Sequence, residues 1–270
     1  MAILTQGPDH NVRKPKLVCP PGACDTHIHL FGPAAKYPFA SDSPYTSRDA
    51  LPETFIELQN KLGLSTAVIV SPGGYGRNSA MLADVLAKYP DRFRGIALMR
   101  DDTPSAEFAR LTRLGVRGMR IMSNKRGQHV PNYSRDIAVR AHEHGWHVQF
   151  YPHGADIVEY ADKLLTLPNT IVLDHFASIP TQGGLDQPAV KAVLRMLDSG
   201  RVWLKLSGPM RCTTENFPYP SVTPLARLFV KHAPERMIWG SDWPHVNLDG
   251  REMPNDGDLL DLLEIGRAHV

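Results

Sequence analysis

Three short segments carry residue types that could do chemistry together. Near the start, Asp25-Thr26-His27-Ile28-His29 places two imidazoles two residues apart. On a strand, that spacing puts both rings on one face, about 7 Å apart along the chain. From there they can converge on one metal ion or one substrate oxygen. A second segment, Asp174-His175, ends an apolar run, and a third, Trp239-Gly240-Ser241-Asp242-Trp243-Pro244-His245, sets an acid among aromatics. Two chemistries are open to this set. As metal ligands, His27, His29, His175 and Asp242 offer the nitrogen and oxygen donors that zinc takes. Without a metal, Asp242 is a general base for water, and the three histidines hold a developing oxyanion.

The elements that must position these residues alternate along the chain. Strands are predicted at 23–30, 66–71, 94–99, 116–122, 147–151, 170–175, 202–207 and 237–241, with helical periodicity between them at 52–62, 79–88, 135–144, 188–198 and 222–232. Eight such units predict an α/β fold, a single (β/α)8 TIM-type barrel, in which catalytic groups sit at the C-terminal ends of strands. The histidine and aspartate segments all fall at such ends. An open doubly wound sheet is the competitor, but Ser71-Pro72-Gly73-Gly74-Tyr75-Gly76 lacks the dinucleotide spacing. Residues 1–22 read as an irregular N-terminal arm and 23–263 as the catalytic barrel, with its last helix truncated. Residues 264–270, Glu-Ile-Gly-Arg-Ala-His-Val, back-translate to the start of a short-read sequencing adapter and are expected to be a non-native tail.

Composition narrows the function classes. The 270 residues are close to the roughly 250 of one such barrel. Lys+Arg 30 against Asp+Glu 28 leaves a formal net charge of +2, so no nucleic-acid partner is expected. No window reaches the ~18 apolar residues that a membrane span needs, and no signal-peptide core is present. Three cysteines without CxxC spacing argue against a disulfide framework and fit a cytoplasmic location. Oligomeric state has no signature in the sequence.

The motifs DTHIHLFGP, GVRGMR, GWHVQFY and WGSDWPH resemble the amidohydrolase superfamily, in particular its lactonase branch typified by 2-pyrone-4,6-dicarboxylate lactonase. The resemblance runs from about Pro20 to Asp258. It implies a hydrolase that opens a small carboxylated lactone, with His27, His29 and His175 as the polar cluster and Asp242 as the general base. It further implies substrate contacts at Tyr45, Arg120, Arg126, Tyr151 and Arg211. No obligatory cofactor, or one divalent ion with zinc first, is implied, since that branch works without a metal while close relatives use zinc. Two positions depart from the pattern: Gly73 replaces a hydroxyl residue and Ser178 an arginine, which removes one carboxylate anchor.

Other residues have readings of their own. Arg120 lies in a mostly apolar strand, where a guanidinium suits bidentate carboxylate binding, and Arg211 reads similarly. Tyr151 shares a strand face with Gln149 and His147, while Tyr45 is placed in a long loop. His142 and His144 are assigned to a helix end capped by Gly145 rather than to a metal. His153 follows a strand and is a further candidate ligand, and His245 is expected to fix the loop after the last strand. Alternatives are a lactone isomerase or metal-dependent decarboxylase on the same barrel, and a non-catalytic protein that binds a small anion.

Overall fold

The computed structural model describes residues 2–123, 134–248 and 250–264. The chain forms two compact units, Met1–Leu98 with Gly240–Val270, and Met99–Trp239.

In the first unit, a two-stranded parallel ribbon pairs β1 (Ile3–Thr5) with β3 (Tyr45–Ser47), so Tyr45 lies on a strand rather than in the predicted loop. A parallel sheet runs β2 (Cys24–Ile28), β4 (Thr66–Val70), β5 (Phe93–Ala97). Strand β4, Thr-Ala-Val-Ile-Val, is a short run rich in the branched residues that suit a pleated, buried surface. Helix α1 (Pro52–Leu62) starts on Pro52, pre-set for the first turn, and stops at Gly63, whose φ of 75° is left-handed. It buries Phe55, Leu58 and Leu62, with Phe55 against Trp243 at 5.3 Å between ring centroids. Helix α2 (Ala80–Lys88) buries Met81, Leu82, Val85 and Leu86. The last helix, α8 (Asp256–Asp261), is capped by the side chain of Asn255 and buries Leu259 and Leu260.

The N-terminal arm lies along α8. Arg13 pairs with Asp258 and Asp261, and the backbone N–H groups of Lys16 and Leu17 donate to Asp261 Oδ1.

The second unit carries the parallel strands β6 (Val116–Met122), β7 (His147–Tyr151), β8 (Ile171–Leu173), β9 (Val202–Leu206) and β10 (Met237–Trp239), each paired with the next. Between them run α3 (Ser105–Leu114), α4 (Arg135–Glu143), α5 (Asp156–Leu165), α6 (Pro188–Asp198) and α7 (Val222–His232). Helix α6 shows the common pattern: Val190, Val193, Met196 and Leu197 form one buried stripe at helical spacing. Strand β8 ends earlier than its apolar run predicts. After Leu173 and Asp174, the residues His175, Phe176, Ala177 and Ser178 hold φ between 50° and 53°, a left-handed turn without a glycine. Along the chain, β2 and β4–β10 are each followed by one helix, which is the order of the (β/α)8 fold.

Candidate active site

The first unit assembles three of the candidate residues. Asp25 is fully buried, and its Oδ1 accepts from the backbone N–H of His27 and of Ser241, both at 3.0 Å. One carboxylate therefore ties the two motif segments together. Further bonds complete the splice: Asp242 N donates to His27 O at 2.9 Å, and His29 N to Trp243 O at 2.7 Å. Gly240 lets the segments approach, because a Cβ there would lie 2.7 Å from His27 Cβ. Asp242 itself adopts a φ of 68°, a strained conformation for a residue with a side chain. Burial pushes the Asp25 carboxyl up to about 6 despite the two N–H groups it accepts.

The result is a tight cluster of donor atoms. His27 Nε2 and His29 Nε2 are 3.3 Å apart, and Asp242 Oδ1 lies 3.7 Å and 3.5 Å from them. All three residues are buried. His29 Nδ1 sits 2.7 Å from Val70 O and can only donate there, so in the neutral ring Nε2 is a lone pair. His27 Nε2 can donate to that lone pair, and with the carboxylate oxygen beside them the two rings form a set that can share a proton or a metal ion. Tetrahedral zinc with bonds near 2.0–2.1 Å holds its donors about 3.3 Å apart. The separations and the nitrogen and oxygen donors of this cluster fit such an ion.

The second unit assembles another group. His175 Nδ1 is 2.9 Å from Ser207 Oγ, and its ring meets Tyr151 edge-on at 5.1 Å. The Arg120 guanidinium lies over the Tyr151 ring at 5.1 Å. Arg120 is itself buried, with Nε and Nη2 on Asp174 Oδ2 at 3.2 Å and 3.1 Å. Gln149 Nε2 donates to the same oxygen at 3.0 Å, and Lys205 Nζ bonds Gln149 Oε1 at 2.8 Å and lies 3.5 Å from Asp174 Oδ1. This network fixes the guanidinium plane and hence the face on which Tyr151 rests. His147, on the same strand face as Gln149 and Tyr151, is pushed down to about 4, first by burial and then by the Lys205 charge.

The structure thus brings His27, His29 and Asp242 together in one unit, and His175, Tyr151 and Arg120 in the other. Arg211 is half-buried in the turn Pro209–Arg211, which packs on the left-handed turn after β8. Tyr45 is buried elsewhere in the first unit, with its hydroxyl accepting from Gly74 N at 3.1 Å and its ring against Phe31. Arg126 lies outside the described residues. The backbone of His153 donates to Ser123 Oγ at 2.8 Å, and buried His245 bonds Asp256 Oδ1 at 2.9 Å, tying the loop to α8. Sequence reasoning missed the roles of Asp25, Lys205 and Ser207. A lysine within the apolar run Val202-Trp203-Leu204-Lys205-Leu206 was the available signal for the second.

Known proteins share this chain's pattern. The Amidohydrolase family model matches residues 24–267. The chain is 33% identical over 261 residues to a 4-sulfomuconolactone hydrolase of Hydrogenophaga intermedia, covering 95% of this chain and 86% of that protein. It is 34% identical over 264 residues to a 2-pyrone-4,6-dicarboxylate hydrolase of Comamonas testosteroni, covering 94% and 86%. A solved Pseudomonas putida structure, assigned as a 2-pyrone-4,6-dicarboxylic acid hydrolase, aligns with a TM-score of 0.79 at 28% identity over 93% of both chains. Eight strand–helix units in this order, the splice of the two motif segments by Asp25, and these likenesses agree: the chain belongs to the amidohydrolase family and has its (β/α)8 fold.

Proposed function

We propose that the chain is a lactone hydrolase acting on a small carboxylated lactone, with Asp242 as the base that activates water. The observation that carries this reading is the convergence of His27 Nε2, His29 Nε2 and Asp242 Oδ1 within 3.3–3.7 Å in a buried setting. The hydrolase relatives, both named for lactone substrates, support it.

Asp242 takes a proton from water as the water oxygen bonds to the ester carbonyl carbon. The carbonyl π electrons move onto the carbonyl oxygen, which the histidine cluster holds. When the intermediate collapses, the ring C–O bond breaks and the proton passes from Asp242 to the leaving oxygen. The product is a ring-opened hydroxy acid, which releases one proton at neutral pH. His27, His29 and Asp242 are a set able to hold a divalent ion, as is common in this superfamily. Zinc suits the donors. When bound, such an ion would polarise the carbonyl and acidify water. Arg120, Arg126 and Arg211 are assigned to the substrate's acidic groups, with Tyr151 and His175 beside Arg120. Gln149, Asp174 and Lys205 hold Arg120 in place.

The test is acid release followed by pH-stat over a panel of mono- and dicarboxylated lactones, before and after a strong chelator. The parent should open at least one of them, and Asp242→Asn should lose at least 10³-fold in kcat while still binding the ring-opened acid. Activity that a chelator removes and zinc restores makes the cluster a ligand set. Activity that survives makes it a proton-sharing cluster. A panel that releases no acid overturns the hydrolase reading.

A further inference from the structure

The turn that begins at Asp242 is held at its far end by a buried pair that the proposed reaction does not use. His245 N donates to Asp242 O at 2.8 Å and closes a four-residue turn. Its first and last residues are both left-handed, with φ of 68° and 63°. Neither is a glycine, so surrounding contacts must offset the cost of each. Upstream of Asp242, the splice to β2 supplies such contacts. Downstream, buried His245 places Nε2 2.9 Å from Oδ1 of Asp256, the fully buried first residue of α8. The start of α8 is itself fixed. Asn255 Oδ1 accepts from Gly257 N at 3.2 Å and from Arg13 N at 3.1 Å, and Asn255 Nδ2 donates to Asn11 O at 3.2 Å. Gly257 packs so closely on the arm that a Cβ there would collide with Arg13 O. A continuous line of contacts therefore runs from the N-terminal arm through α8 to the backbone of the proposed base.

As a source of stability this pair is poor. Among the described residues, His245 Nδ1 and Asp256 Oδ2 are buried without a hydrogen-bond partner. Two apolar side chains of similar size would leave nothing unmet. What the pair does supply is a bond of fixed length and direction, from a packed helix to a turn strained at both ends.

We propose that Asp256 and His245 are positioning residues, which together hold the Asp242 carboxylate against His27 and His29. This rests on the lactone-hydrolase reading, in which Asp242 takes the proton from water. Asp242 Oδ1 lies 3.7 Å and 3.5 Å from the two Nε2 atoms, and a displacement of about 1 Å at such a site costs about 100-fold in rate.

The test compares variants on whichever lactone the parent opens, well below every Tm. Asp256→Leu removes the acceptor and should lower kcat by at least about 10-fold, with KM within about 3-fold of the parent's. Asp256→Asn keeps an acceptor for the ring and should return kcat to within a few-fold. Leu164→Ala, a cavity in buried α5, should lower Tm and leave kcat near the parent's. If Asp256→Leu does not fold, His245→Asn carries the same expectation, because asparagine tolerates the left-handed backbone and is too short to reach Asp256. A kcat that stays at the parent's value, or falls no further than in Leu164→Ala, overturns the proposal. So does an Asp256→Asn variant as slow as Asp256→Leu. Ring 15N spectra of the labelled protein add a readout that needs no turnover. Signals of His27 and His29 should shift in Asp256→Leu and not in Leu164→Ala. His27 and His29 signals that keep their parent positions while those of His245 move overturn the proposal. A parent that opens no lactone defeats the hydrolase reading alone, and the spectra then decide whether the pair positions Asp242.

Discussion

Ionisable side chains shielded within the strands bear on the pH behaviour of this protein residue by residue, and half-buried His147 is the clearest case. Its ring is held near 4 in the fold, against about 6.5 in an unfolded chain. Between those values the unfolded state binds the extra proton and the native state does not. Stability is thus unaffected above pH 7 and is lost as pH falls from 6.5 towards 4, by up to about 3 kcal/mol. Asp25, raised to about 6, works the other way over an overlapping range, so the parent's curve alone cannot assign the effect. Replacing His147 by Gln should flatten the difference between chemical-denaturation stabilities at pH 7 and pH 4.5, and an unchanged difference would show that the histidine is protonated natively. At this scale, the histidines and Asp242 were legible because their spacing survives in the sequence. The Arg120–Asp174–Lys205 network was not. It joins residues 54 positions apart at its first link, and only the paired strands bring them into contact.

Among the elements, the splice between β2 and the segment after β10 is the most demanding. Gly240 sits where any side chain would press on the His27 Cβ and backbone N. Gly240→Ala should displace the histidines relative to Asp242 and lower kcat/KM by at least about 100-fold, with an overpacking cost of roughly 1–3 kcal/mol. Near-parent activity in the variant would mean that the segments yield without moving the cluster. Most element positions were legible: 116–122, 147–151, 52–62, 188–198 and 222–232 fall where apolar periodicity placed them. The end of β8 did not. Phe, Ala and Ser have no preference for left-handed backbone, so nothing local announces the turn, and surrounding contacts must impose it. The β1–β3 ribbon also escaped, being three residues per strand and largely exposed on its first strand.

Across the whole molecule, the fold class followed from the repeating strand–helix rhythm, which family likeness and a solved relative bear out. The arm was read as irregular because proline and basic residues carry no periodicity. Its order comes from partners on α8, more than 240 residues away. Replacing Arg13 by Ala should lower stability by about 1 kcal/mol at low salt, and the loss should shrink in 1 M salt, since both ion pairs are partly exposed. A salt-independent loss would point to packing of the stem instead.

The bond from Ser241 to Asp25 spans 216 residues, and that separation bears on how the protein is made. A ribosome adds roughly 5–20 residues each second, so β2 waits at least about ten seconds for the segment that completes it. Through that interval a nascent chain carries His27 and His29 without their aspartate, beside an edge strand whose later neighbours are still unsynthesised. The cluster is therefore complete only once the segment around Asp242 has been made, and the early sheet needs shelter until then.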